Sequence, residues 1–198
     1  SKFMNLFQLY TDLYSKYGPQ GWWPINATYY KEDYSEKNTN EKFEIAVGAI
    51  LTQNTTWVNV EKVLKNLRDN QLLNKKSIQS IDIQDLALFI KSSGYYNQKA
   101  KKLKELCFLS GDITRESLLR LWGVGPETAD SILLYAYNQP IFVIDSYTKR
   151  LMLEYQIGDM KWNYNQWQNF FHDNLEKDYK IFNEFHALIV KHMQNKKH

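Results

Sequence analysis

Apolar residues recur at three- and four-residue intervals along most of the chain, the spacing of one helix face. In SKFMNLFQLYTDLYSK the positions are Phe3, Leu6, Phe7, Tyr10, Leu13 and Tyr14. YGPQGWWPINATYY breaks the pattern with two glycines and two prolines, which predicts a structured loop. KEDYSEKNTNEK is polar and exposed. From Glu41, EKFEIAVGAILTQNTTW reads as an apolar helix interrupted by polar TQNT, and VNVEKVLKNLRDNQLL as an amphipathic one with Val60, Val63, Leu64 and Leu67 on one side. SIQSIDIQDLALFIKSSG predicts one short helix closed by Gly94, and NQKAKKLKELCFLSG another closed by Gly111.

TRESLLRLWGVG opens with Thr114 as a cap; Ser117, three positions on, makes a weak capping box because it is not acidic. PETADSILLYAYN places Pro126 in a first helical turn, where its missing N–H matters least. IFVID reads as extended, and DSYTKRLMLEYQIG as a helix capped by Asp145 or Ser146. NYNQWQNFFHDNL and YKIFNEFHALIVKHMQ give two more helices. The expected fold class is all-α, with short connections and no internal repeat.

Composition narrows this picture only in places. The 198 residues suffice for one compact domain or two small packed lobes, and a 43 % hydrophobic content supports an ordinary core. Aromatic residues reach 15 %, and flat rings suit a base-binding pocket as well as a core. A net charge of +3 argues for nucleic acid only through a local patch. The single cysteine, Cys107, excludes an internal disulfide and a four-cysteine metal site and reads as a buried thiol. The four histidines show no metal-ligand spacing. His186, in EFHALIV, reads as a buried histidine rather than a metal ligand. No apolar run is long enough for a membrane span, and the opening residues lack a signal-peptide pattern. The expected location is intracellular, cytoplasmic or nucleoid-associated.

LLRLWGVGPETADSILLYA carries the first candidate chemistry. Gly123 and Gly125 supply the backbone conformations of a tight turn between two helices, with Leu121 and Val124 anchoring them against each other. Such a turn exposes amides at a helix start, which hold a phosphate without a cationic side chain. Its carbonyls also suit a monovalent cation. Upstream, YYNQKAKKLK clusters Lys99, Lys101, Lys102 and Lys104, candidates for salt-dependent phosphate contacts.

With these pieces in view, the chain resembles the helix-hairpin-helix DNA glycosylase superfamily, whose members include endonuclease III. FEIAVGAILTQNTTWVNVEKVLKNL, SGYYNQKAKKLKEL, LWGVGPETADSILLYAYNQPIFVIDSYTKR and FHALIVKHM occur in family order and cover most of residues 41–193. GWWP followed by LTQNTTW is similar to the 3-methyladenine DNA glycosylase III branch. The resemblance implies that Asp145 is the catalytic aspartate that follows the hairpin. Lyase members carry Gly-Val-Gly-Arg-Lys at the turn, whose lysine forms a Schiff base; here Glu127 stands at the lysine position, and a carboxylate cannot do that chemistry. Iron–sulfur members carry four cysteines near the C-terminus, but this sequence stops where they would begin. Either this branch lacks the cluster or the chain is longer; these residues alone support none.

The resemblance further implies that the flipped base lies between Trp57 and the pair Trp23–Pro24, with Trp22 lining the region or anchoring the loop. A positively charged base gains a cation–π component from such walls. Gln53 is the expected wedge into the gap left in the duplex, with Asn54 beside it as a second DNA contact or a helix cap. The expected organisation is residues 1–40 as an N-terminal helix and loop packing on the C-terminal lobe, 41–140 as the helical lobe with the hairpin, and 141–198 as the C-terminal lobe, with the DNA cleft between the lobes.

The expected activity is hydrolysis of an N-glycosidic bond by a monofunctional glycosylase acting on alkylated purines, 3-methyladenine foremost. A bifunctional glycosylase with lyase activity on damaged pyrimidines, and a non-enzymatic DNA-binding module, are the alternatives. No metal or other cofactor is required by this chemistry. The expected partner is double-stranded DNA with a damaged base, engaged by a monomer.

Overall fold

The structure is a computed structural model and describes residues 5–196, so Phe3 lies outside it. Among the described residues it comprises α1 (Leu6–Tyr17), α2 (Thr39–Leu51), α3 (Trp57–Asp69), α4 (Lys75–Ser80), α5 (Ile83–Phe89), α6 (Tyr96–Leu106), α7 (Arg115–Leu119), α8 (Pro126–Tyr137), α9 (Ser146–Glu154), α10 (Tyr164–Asn174) and α11 (Tyr179–Asn195), with a 3-10 turn at Lys91–Ser93 and no strand. The fold is all-α. No described helix is long and apolar enough to cross a membrane.

The chain divides into two compact units. One holds residues 37–137 with the short excursion Ile25–Ala27. Its centre is α2, buried at every position from Ile45 to Leu51, which packs against α8 and α6. α8 is apolar on nearly all sides for the same reason: Ala129, Ile132, Leu133, Leu134, Tyr135 and Ala136 are buried. α3 contributes the stripe expected from sequence, Val60, Val63, Leu64 and Leu67. The single helix expected over SIQSIDIQDLALF is two. Ile81 is extended, and Asp82 restarts the chain as α5 by accepting the Gln84 N–H at 2.9 Å. The Thr114 capping box is also complete: Ser117 Oγ accepts the Thr114 N–H at 3.0 Å and Thr114 Oγ1 accepts the Ser117 N–H at 3.1 Å. A serine hydroxyl thus performs the acceptor role that the motif ordinarily gives to an acid.

The other unit holds α1, the loop through Pro24, residues 28–36, and the chain from Asn138 onward. α1 and α9 both pack on α11. Leu6, Leu9 and Leu13 form the buried stripe of α1, while Phe7 is half exposed. Phe142, Phe171, Phe182 and Phe185 make an aromatic core, with the Phe142 and Phe171 rings stacked 4.1 Å apart. IFVID is extended but has no strand partner, so several of its backbone groups bond to side chains instead. The Phe142 N–H donates to His172 Nε2 at 3.0 Å, the Phe142 carbonyl accepts from Gln168 Nε2 at 2.8 Å, and the Ile144 N–H donates to the Tyr164 hydroxyl at 3.3 Å. This segment ends at Asp145 and fixes where that residue stands.

Candidate functional site

Asp145 is the N-cap of α9. Its Oδ1 accepts the Thr148 N–H at 2.7 Å, which satisfies one of the helix's orphan donors. Its Oδ2 lies 2.9 Å from His186 Nε2 on α11, and only 14 % of the carboxylate side chain and 11 % of the imidazole are exposed. Burial pushes the Asp145 carboxyl up, but the charge and hydrogen bond of His186 and the bonds from Thr148 outweigh it and hold the group below the usual carboxylate value. The result is an ionised carboxylate that is oriented from two sides and little hydrated. The other acids near the hairpin have different surroundings. Asp130 is fully buried and forms a fork with Arg115, Nε to Oδ1 at 2.7 Å and Nη2 to Oδ2 at 3.2 Å, which ties α7 to α8 beneath the hairpin. Glu127 is exposed in the first turn of α8, where an acid complements the helix dipole.

In the same unit as Asp145, Trp22 and Trp23 sit in a loop joined by a cis peptide bond. Their rings meet edge to face at 5.2 Å, and Trp22 meets Tyr29 at 5.6 Å. Trp23 is 8 % exposed and Pro24 is buried, whereas Trp22 is half-buried and is the more accessible ring of the pair. An open groove of about 570 Å³, lined by Tyr10, Tyr14, Glu32, Tyr34 and Lys180 among others, has neither Asp145 nor either tryptophan in its wall.

The second unit carries the hairpin and the TQNT turn. Gly123 and Gly125 are exposed and Val124 is buried, as a turn presenting amides to a ligand requires. Only Gly123 has a left-handed φ, +80°. Trp57 opens α3 and is half-buried. Asn54 is exposed at the apex of the turn between α2 and α3, with φ +54°.

Three residues expected to face DNA do not stand free to do so. Gln53 donates to Thr128 Oγ1 at 2.9 Å and to the Gly123 carbonyl at 3.3 Å, and accepts from Lys102 Nζ at 2.6 Å. Its amide is therefore committed to tying the turn to the hairpin, which leaves Asn54 as the outward-facing residue of the two. Lys102 is half-buried in this bridge, and burial lowers its ammonium from the ordinary value. Lys99 is 1 % exposed and caps the ends of α2 and of the 3-10 turn, donating to the Leu51 carbonyl at 2.7 Å and the Ser93 carbonyl at 2.6 Å. Burial first, then the nearby Lys102 charge, lowers it to about 8. Lys101 is exposed and lies 4.0 Å from the centre of the Trp122 ring, itself exposed at the hairpin. Sequence patterning missed Trp122, although an aromatic residue in a polar turn was a usable signal. It also missed Asn183 and Glu184, two polar residues inside the apolar run of α11. Cys107 is buried, and among the described residues no cluster of His, Cys, Asp and Glu is placed to hold a metal ion.

Comparison with known proteins identifies the family and the fold. Residues 47–177 match the HhH-GPD superfamily base excision DNA repair protein family. A Methanocaldococcus jannaschii protein assigned by name to the DNA repair glycosylases is 39 % identical over 97 % of this chain and 88 % of its own. Endonuclease III of Thermotoga maritima is 32 % identical over 56 % of this chain and 55 % of its own. Among solved structures, the H. pylori 3-methyladenine DNA glycosylase MagIII, bound to 1,N6-ethenoadenine, superposes with a TM-score of 0.79 at 30 % identity, covering 98 % of this chain and 99 % of that one. An endonuclease III–DNA complex shares the fold at 18 % identity, with a TM-score of 0.75 and coverage of 95 % and 85 %. A hairpin, an aspartate that caps the helix after it, and a family match across both make this chain a DNA glycosylase that belongs to the HhH-GPD superfamily of base excision DNA repair proteins.

Proposed function

We propose that the chain is a monofunctional glycosylase that releases alkylated purines, 3-methyladenine foremost, from a nucleotide flipped out of the duplex. The observation that carries this reading is the Asp145 carboxylate, held ionised by His186 and Thr148 at the start of α9. As the glycosidic bond breaks, its electron pair leaves with the base and the sugar becomes cationic. The buried carboxylate stabilises that charge and takes the proton of the water whose oxygen bonds to C1′. A 3-methyladenine base already carries a positive charge and departs without a general acid, so one carboxylate is sufficient where most glycoside hydrolysis uses two. Glu127 at the lyase lysine position supports hydrolysis rather than Schiff-base chemistry. A relative holding a purine lesion supports purines as the substrate class.

In this reading Trp22 and Trp23 offer an aromatic surface to the base. Gly123 and Gly125 hold phosphate through their amides, Lys101 and Trp122 add to that contact, and Asn54 enters the duplex. The test is release of free base from methylated DNA by the chain and by Asp145→Asn, with borohydride trapping on abasic DNA alongside. Release by the parent, none by the variant and no trapped adduct is the expected result. A parent that releases no methylated purine, or a lysine-dependent adduct, overturns it.

A further inference from the structure

Asn183, Glu184 and His186 lie within four residues of α11, among Phe182, Phe185, Leu188 and Ile189, all fully buried. Glu184 is 1 % and Asn183 3 % exposed. A carboxylate taken this far from water is costly unless its oxygens are satisfied. Both oxygens find donors outside the helices. Glu184 Oε1 accepts the Gln20 N–H at 2.6 Å, and Oε2 accepts the Tyr34 hydroxyl at 2.6 Å. Burial, then that hydrogen bond and the Glu184 charge, push the Tyr34 hydroxyl well above the ordinary phenol range. Asn183 Nδ2 donates to the Trp22 carbonyl at 3.0 Å. These two side chains therefore grip the aromatic loop on either side of Gly21. A Cβ at Gly21 would meet the backbone of Tyr29 and Lys31 at 3.1 Å, so the loop is also pressed against residues 29–31. One helical turn from Asn183, His186 holds Asp145.

We propose that α11 sets the base-recognition loop in register with the catalytic carboxylate, and that Asn183 and Glu184 are positioning residues for the Trp22–Trp23 wall. This rests on the glycosylase reading for its substrate but not for its geometry. From the next turn of the same helix His186 acts on the carboxylate; Asn183 and Glu184 act on binding. The two roles separate kinetically: loosening the wall weakens capture of the flipped base, while the carboxylate keeps its setting.

The experiment compares the full chain with Asn183→Ala, Glu184→Gln and Tyr34→Phe. The last removes only the phenol's bond to Glu184 and serves where a buried change at Glu184 prevents folding. Single-turnover release of 3-methyladenine from methylated DNA gives KM and the saturated rate; amide exchange at Gln20 and tryptophan emission report the loop without substrate. The expected result is a KM raised on the order of tenfold in Asn183→Ala and Glu184→Gln, with the saturated rate little changed and faster Gln20 exchange in Glu184→Gln. Folded variants with unchanged KM, or a fall in saturated rate at unchanged KM, overturn the proposal. If the parent releases no base, the substrate reading fails, and the loop assignment then stands or falls on Gln20 exchange and tryptophan emission alone.

Discussion

His186 Nε2 stands 2.9 Å from Asp145 Oδ2 while the Thr148 N–H reaches Oδ1 at 2.7 Å, so both carboxylate oxygens are held from the protein side. Asp145→Asn separates the charge from the cap. Asparagine caps helices about as well as aspartate, so the variant is expected to fold and to lose only the stability that the ionised carboxylate gains from His186. Its base release is expected to fall on the order of 10²–10³-fold, because the charge that stabilises the cationic sugar is gone. Melting temperature and single-turnover release measure the two effects; full activity in a folded variant excludes Asp145 from the chemistry.

His186→Ala is expected to move the acid limb of the activity profile to higher pH. Burial alone raises the Asp145 carboxyl; His186 and Thr148 bring it below its ordinary value. Removing the imidazole deletes the charge and one hydrogen bond and leaves most of the burial. In the parent, a depressed carboxyl contributes stability that is present above the unfolded-state carboxyl pKa and is lost as pH falls through the folded value. In the variant that contribution is expected to be smaller, and what remains of it to be lost at a higher pH. Release rates and urea midpoints between about pH 3 and 7 follow both; superimposable profiles would remove His186 from the control of Asp145.

Lys99 works in the opposite direction. Its ammonium is lowered to about 8 in the folded chain, so above that pH the folded state holds fewer protons than the unfolded one. The lysine therefore opposes folding at neutral pH, and this opposition is relieved as pH rises from about 8 towards the ordinary lysine value of about 10.4. Lys99→Met is expected to remove this pH dependence, visible as the difference between parent and variant melting temperatures over that window. It is also expected to cost about 1–3 kcal/mol, because the Leu51 and Ser93 carbonyls lose their donor.

The helices and the two glycines of the hairpin were legible in the sequence because helix periodicity and turn chemistry are local. Asp145 was legible because a residue before an amphipathic run, with an acceptor side chain, is a cap by its position. The lysine cluster was not. Lys99 and Lys101 are two residues apart, which on a helix turns one towards the core and the other towards solvent, and no local pattern says that the carbonyls of two helix ends wait inside for an ammonium. Gln53 was misread for a similar reason. Its partners Lys102, Gly123 and Thr128 are 49 to 75 residues away, so the bridge exists only once the chain has folded. Asn183 and Glu184 were visible as polar interruptions of an apolar helix, but their partners belong to a loop more than 140 residues earlier in the sequence.

Lys101 and Lys99 give a direct comparison on DNA. Lys101 is exposed beside Trp122 at the hairpin, and Lys99 is buried. Lys101→Ala is expected to lower the slope of log affinity against log salt by about 0.9, the loss of one phosphate contact. Lys99→Met is expected to leave that slope unchanged wherever the protein remains folded. Titration of undamaged duplex at several salt concentrations reads both; equal slopes for parent and Lys101→Ala place Lys101 off the DNA.

The hairpin glycines are expected to differ from each other, although the motif writes them alike. At Gly123 a Cβ would lie 2.5 Å from the Lys102 side chain, and the backbone has φ +80°, a conformation that alanine adopts at a cost. Lys102 cannot move away freely, because its ammonium is bonded to Gln53, which in turn bonds to the Gly123 carbonyl. Gly123→Ala is therefore expected to destabilise the chain by about 1–3 kcal/mol and to weaken binding of undamaged duplex as the bridge distorts. At Gly125 a Cβ would have open space, with nothing within 4 Å, and φ is not left-handed. Gly125→Ala is expected to change stability by no more than about 0.5 kcal/mol. Its N–H is retained, so any loss of duplex affinity in this variant measures how closely a phosphate approaches the turn. Equal destabilisation by the two substitutions would show that the Lys102–Gln53 bridge does not constrain the hairpin.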